Sequence, residues 1–279
     1  MMNEMRLEKV GFFARLKSML TVDFHRMLVS KLFYIILLVS LLVPIVMTVM
    51  LVMMDGAESV NQSTGEVTII EGPESVWETI GTIPTDTSVT DNEASATMGA
   101  DMDVLALCNI NMAFMGVAVF VCLFISSDFR SGFAKNMFTT RCGRGEYVIS
   151  KTIVGFVTGA LMLILYFVGA MLAGVITSLS FALGSLTPLG ILMCMLAKIA
   201  LMLVFISIFV LVSIAAKSRA WLSILCSLSG GMLLFMVVGM VTPLNSTPMH
   251  LLLCFVGGVI FAVGLGAISR AVIRGTSVV

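Results

Sequence analysis

The stretch DFRSGFAKNMFTTRCGRGEYVISK, residues 128–151, holds the residues of this chain best spaced to do chemistry, and the chemistry is binding. Phe129, Phe133 and Met137 recur every four residues, so on a helix they line one face with Phe138 beside them. Arg130, Ser131, Lys135 and Asn136 point elsewhere. The run Arg141-Cys142-Gly143-Arg144-Gly145 then turns the chain back, its glycines permitting positive φ. Aromatic anchors in a charged frame suit two tasks. One is docking to a protein groove; the other is an interfacial helix with phenylalanines among lipid headgroups and arginines on anionic lipid.

Lys198 is the second candidate. It lies deep in an apolar run, where inserting an ammonium costs about 2.5–3.5 kcal/mol, so it must face protein or water. Either it snorkels outward or pairs with Asp101 or Asp103, or it lines a pathway with Asn109 and Asn111 and meets an anionic group of a cargo. It reads as the sole charge buried in a span.

Other chemistries lack their parts. The apolar runs contain no Asp or Glu, and the two histidines, His25 and His250, stand near run ends, which argues against an intramembrane enzyme. A secondary carrier needs midplane ion-binding groups and broken helices, yet Pro44 is the one mid-span proline. No GxxxxGK[ST] loop is present to hold ATP. Five of the six cysteines sit inside apolar runs, Cys142 lies in the polar stretch, and no CxxC occurs, so neither a disulfide framework nor a metal site is expected.

The elements that must position these residues follow from hydropathy. With 59% hydrophobic and 11% charged residues, a water-soluble surface cannot be covered, which makes the chain a helical membrane protein. Six apolar runs can cross a bilayer: 32–54, 104–126, 152–178, 189–215, 221–241 and 251–268. The first is no signal peptide, being too long for an h-region and followed by an acidic segment. Fifteen of the 16 Lys and Arg fall on one side of that arrangement, which places both termini and residues 128–151 in the cytoplasm. The opposite side is acidic: Asp55–Asp103 holds eleven Asp or Glu and no basic residue. Within it, Pro73, Val76, Trp77, Ile80 and Gly81 suggest a short helix that lies on the membrane or caps the spans; the alternative is a flexible acidic loop. Ahead of the first run, Phe13, Leu16, Leu20, Phe24 and Met27 form an apolar stripe suited to an in-plane helix. Gly155 and Gly159, and the row Gly258, Ala262, Gly266, allow close helix approach within the chain or against a second subunit.

Taken together, the basic N-terminal helix, the six runs and the segment between the second and third resemble the permease subunits of the type-2 ABC transporter family. Asp128-Phe129-Arg130-Ser131-Gly132 resembles the family's acidic-x-x-x-Gly pattern, and Arg144, Tyr147 and Lys151 match the arginine, tyrosine and lysine that follow it there. Where that family often carries short outer helices between spans five and six, only the nine residues Thr242 to His250 make the turn here. This departs from polysaccharide exporters and points to small peptide or drug exporters.

The resemblance implies an all-α integral membrane protein with six transmembrane helices, an N-terminal amphipathic in-plane helix over residues 1–31, and a cytoplasmic coupling helix between spans two and three. It implies that Phe129, Arg130, Phe133, Lys135 and Met137 dock a cytosolic ABC ATPase, which binds ATP and Mg while this chain binds no cofactor and is not an enzyme. A second permease, the same or related, completes the pore, with membrane lipids around it and no nucleic acid. The expected role is half of the translocation pathway of an ATP-driven exporter in a bacterial plasma membrane, for peptide or antimicrobial export or immunity. The alternative is a six-span scaffold or assembly factor with no ATPase partner.

Overall fold

A computed structural model describes residues 11–60, 67–69, 72–81, 109–140, 143–184 and 186–275. Among them are eight α-helices: α1 (Phe12–Val29), α2 (Lys31–Met54), α3 (Ala113–Arg130), α4 (Phe133–Thr140), α5 (Arg144–Thr177), α6 (Pro188–Ala216), α7 (Ala220–Val241) and α8 (Pro248–Gly275). Two three-residue strands, β1 (Glu58–Val60) and β2 (Val67–Ile69), pair antiparallel with Ser59 opposite Thr68. Five helical segments are long and apolar enough to cross a membrane: α2, Ile110–Arg130, α5, α6 and α8. Ala220–Phe235, the greater part of α7, is a shorter apolar stretch. The chain is an α-helical, multi-pass membrane protein.

Local chemistry sets the helix ends. Thr187 caps α6 by accepting from the Gly190 amide at 3.1 Å, with Pro188 in the first turn, where a missing N–H costs nothing. Ser30 is extended (φ −72°, ψ 121°), so it ends α1 and starts α2 at one residue. Gly132 (φ +73°) separates α3 from α4, a conformation that a side chain disfavours. That break divides the stripe drawn from sequence: Phe129 belongs to α3, whereas Phe133 and Met137 belong to α4.

α5 has 34 residues, about 51 Å at 1.5 Å per residue, against roughly 30 Å of hydrocarbon. Its first two turns therefore extend past the apolar layer as continuous helix, starting eight residues before the expected Thr152. α2 packs mainly on α5, and α8 on α6, while α3 lies among α5, α6 and α7. Phe114, Phe120, Tyr166, Phe205, Ile206 and Phe209 fill the centre, with Phe114 and Phe205 ring centroids 4.6 Å apart. The glycines of α5 face inside the chain. A Cβ on Gly155 would lie 3.0 Å from Ile206, and one on Gly159 2.8 Å from Met202, both on α6. Gly169 admits the Leu41 carbonyl and Pro44 of α2, next to the Ser40 hydroxyl that donates to the Met162 carbonyl at 2.7 Å. Ser223, Ser213, Cys122 and Ser227 link α3, α6 and α7 through side-chain hydrogen bonds of 2.9–3.3 Å. The outward faces of α2 and α8, including Leu38, Leu42, Val46, Phe255, Val259 and Ile260, are exposed and apolar, as a lipid-facing surface requires.

Two expectations change. On α1 the buried residues are Met19, Asp23 and Met27, with Leu20 and Phe24 half-buried and Phe13 82% exposed, because the helix turns an acid-bearing face to α5. The short helix expected after Pro73 is a single 3-10 turn, Val76–Thr79. Val76 and Ile80 are buried, Val76 against Gly174 at the end of α5, and Gly81 lies against Leu244 beyond α7. This segment caps the end of the bundle that lies away from the basic residues.

Candidate functional site

At the basic end, four elements meet around three fully buried charges, Asp23, Asp128 and Lys151, and a half-buried fourth, Arg26. On α1, Asp23 and Arg26 share a face by their spacing of three; on α5, Tyr147, Ser150 and Lys151 do so by spacings of three and four. Asp128 stands near the end of α3. Lys151 Nζ lies 2.7 Å from Asp23 Oδ1 and 2.7 Å from Asp128 Oδ2, and all three residues are at most 1% exposed. Ser150 donates to Asp23 Oδ2 at 2.6 Å, and the Tyr147 hydroxyl donates to Asp128 Oδ2 at 3.1 Å. Arg26 Nη2 is 2.7 Å from Asp128 Oδ1, an ion-pair contact without hydrogen-bond angles, and Arg26 Nη1 is 3.8 Å from Asp23. Two carboxylates and two cations cancel, the condition under which buried charges persist.

Aromatic rings close over this centre. Lys151 Nζ is 4.2 Å from the Phe124 centroid, and the Arg26 guanidinium is 4.1 Å from that of Phe133, contacts of the cation–π kind. Phe129 and Phe138 meet Tyr147 edge-on at 6.4 and 5.3 Å. A second bridge, Arg15 Nη2 to Glu146 Oε1 at 3.0 Å, again joins α1 to α5. Among the described residues, Asp23, Asp128, Glu146 and Lys151 are buried charges as well, each with a partner on another helix, but all four lie outside the apolar runs that hold Lys198.

The residues expected to dock a partner divide between this centre and the surface. Phe129, Phe133 and Met137 are half-buried, Phe133 under Arg26 and Phe129 against Tyr147. Arg130 and Lys135 are exposed. The outward face of the α3–α4 elbow is therefore basic, and its aromatic face holds the elbow to α1 and α5.

The pathway candidates converge near the other end. Lys198, fully buried on α6, donates to Asn111 Oδ1 at 2.7 Å and to Thr242 Oγ1 at 3.0 Å. Asn111 lies in the 3-10 turn Ile110–Met112 that opens α3, and Asn109 caps that turn by accepting from the Asn111 amide at 3.1 Å. Asn109 therefore orients Asn111, and Thr242, which ends α7, is the partner that sequence reasoning missed. Asp101 and Asp103 lie outside the described residues.

Asp23 and Arg26 were also missed as site residues. The available signal was one acid, Asp23, in line with Met19 and Met27 and followed three residues later by Arg26. What the whole arrangement can do is mechanical and electrostatic: it locks the elbow, α1 and α5 into one charged joint under the helices. Comparison with protein-family models, with curated proteins and with solved structures yields no match to this chain.

Proposed function

We propose that this protein is the membrane-spanning subunit of an ATP-driven exporter, of the type-2 ABC permease kind, with its basic end in the cytoplasm. In this reading α7 completes six spans, and α1 lies along the inner membrane face. α4 is the coupling helix, and a separate soluble ATPase docks on the elbow through Arg130 and Lys135. A second permease supplies the other half of the pathway, near which Lys198, Asn111 and Thr242 meet an anionic group of the cargo. The cargo class is an amphipathic or antimicrobial peptide.

One observation carries the reading. Asp128, Tyr147 and Lys151, three residues of the motif resemblance, are far apart in the chain relative to Asp23 and Arg26 yet join them in one buried centre. A joint of this kind supports transmission of a push on α4 to α3, α5 and α1 together, since separating any one leaves a buried charge unpaired. The exposed cations of the elbow suit an acidic rim on the motor.

The test is affinity purification of the full chain from its own membranes in mild detergent, followed by ATP hydrolysis measured on the purified material. The expected result is a stoichiometric soluble subunit with vanadate-sensitive ATP turnover. Recovery of the chain as a stable assembly with no nucleotide-hydrolysing subunit favours the scaffold reading instead.

A further inference from the structure

At the basic end a groove of about 590 Å³ lies between the α1–α2 junction, the last turns of α3 and the start of α7. Its lining includes Ser30, Ser126, Ser127, Arg130, Ser131 and Ala220. Two helix N-termini border it: Ser30 is the N-cap of α2, and Ala220 is the first residue of α7. Neither N-terminus has a side-chain cap, so the positive ends of two helix dipoles adjoin one cavity. The full cation in the lining, Arg130, forms no ion pair among the described residues, unlike Arg15 and Arg26.

The hydroxyls sharpen the reading. Ser126 is 1% exposed, and its hydroxyl has no hydrogen-bond partner, although a buried hydroxyl ordinarily finds one. Ser126 is among the residues that line the groove, so a turn of its side chain would bring that hydroxyl to a ligand there. Ser127 and Ser131 are different, since their hydroxyl protons are directed at the Phe124 and Asp128 carbonyls at 2.7 and 3.5 Å. They line the wall as acceptors. The donors available to a ligand are thus Arg130, Ser126, Ser30 and the uncapped helix ends, and all favour negative charge.

We propose that this groove is a binding site for a phosphate group, carried by a phospholipid headgroup or by a small soluble phosphate compound. A phosphate offers several acceptor oxygens to a fork-shaped guanidinium and to helix amides at once, which is the donor set present. The apolar part of the lining, Leu32, Leu123 and Phe124, gives an acyl-bearing or otherwise apolar body a surface beside the polar donors. Phe124 also forms the wall between the groove and the ionic centre, with Lys151 against its ring. The proposal does not depend on an ATPase partner, because the site is built from this chain alone.

The full chain, purified and delipidated in detergent, is titrated with three probes: short-chain phosphatidylglycerol, diacylglycerol with the same chains, and glycerol 3-phosphate. Binding is read by native mass spectrometry and by thermal shift. Phosphatidylglycerol is expected to bind saturably and diacylglycerol not, with Arg130→Gln weakening affinity roughly tenfold. Ser30→Glu brings a carboxylate to the groove without removing a cap bond, since Ser30 makes none, and is expected to weaken binding likewise. It serves as the second reading should Arg130→Gln fail to fold. Glycerol 3-phosphate binding with the same dependence on Arg130 identifies a soluble ligand; binding of the lipid alone identifies a headgroup. Absence of saturable binding by either phosphate probe, or wild-type affinity in both variants, overturns the proposal.

Discussion

Replacing Lys151 by methionine removes the cation that lies closest to both buried carboxylates, since Arg26 approaches Asp128 as closely but stays 3.8 Å from Asp23. In the native centre Lys151 lies 2.7 Å from Asp23 and 2.7 Å from Asp128, and Arg26 supplies the second positive charge. After Lys151→Met, two carboxylates share Arg26 alone, and the buried sum falls from zero to minus one. Removing one partner of a buried pair costs about 3–5 kcal/mol, mostly as the cost of the charge left behind. For a chain of this size that corresponds to a fall in unfolding temperature on the order of 10 °C. A second change separates charge balance from packing. Asp23→Asn in the same chain restores neutrality, with Asp128 and Arg26 still 2.7 Å apart, and the new amide oxygen still accepts from Ser150. The double variant is therefore expected to regain a large part of the loss, with a coupling of about 1–3 kcal/mol. The assay is thermal unfolding of the purified protein in one detergent for wild type, both single variants and the double. A Lys151→Met protein within 2 °C of wild type, or a double variant no better than the worse single, refutes the ionic joint.

Three further outcomes are expected. Gly169→Ala sets a Cβ against the Leu41 carbonyl and Pro44 and costs about 1–3 kcal/mol, whereas Gly264→Ala, with nothing within 4 Å, is neutral or slightly stabilising; thermal unfolding of the pair checks this. Lys198→Met leaves Asn111 and Thr242 without their shared donor but removes a buried ammonium, so assembly is preserved while ATP turnover by the complex falls; unchanged turnover removes Lys198 from the pathway. In intact cells a membrane-impermeant thiol reagent is expected to label a cysteine placed at exposed Ala57 and to spare one at exposed Lys135; the reverse pattern inverts the orientation and the proposed function with it.

The apolar helices were legible because twenty or so consecutive apolar residues have few other uses, and α2 and α6 start and end within a residue of the runs read from sequence. The start of α5 was not. Arg144 to Lys151 reads as a polar loop when charges are counted singly, yet Glu146 and Lys151 are held in helix by Arg15, Asp23 and Asp128 from other helices. The pairings with Arg15 and Asp23 span well over a hundred residues and the one with Asp128 spans 23, so none leaves a local periodicity. The Phe129–Phe133 spacing was real but divided by Gly132, whose positive φ ends one helix before the next begins. For the same reason, alanine at both phenylalanines is a poor probe of docking: Phe133 covers Arg26 and Phe129 meets Tyr147, so the ionic centre would be disturbed as well. Lys198 and Asn111 were candidates in the sequence, but Thr242 carries no charge and closes α7, so nothing in its type or spacing pointed to the ammonium.

The central claim is that an ATPase couples to this chain through the exposed cations of the α3–α4 elbow. Arg130→Glu with Lys135→Glu reverses both charges at exposed positions where neither side chain forms an ion pair among the described residues, so the fold is left in place. The most direct measurement is ATP turnover of the purified assembly in reconstituted vesicles, compared between this double variant and wild type at matched unfolding temperature. The account predicts loss of the ATPase subunit and of coupled turnover with no change in thermal stability. Wild-type recovery of the ATPase with undiminished turnover contradicts it.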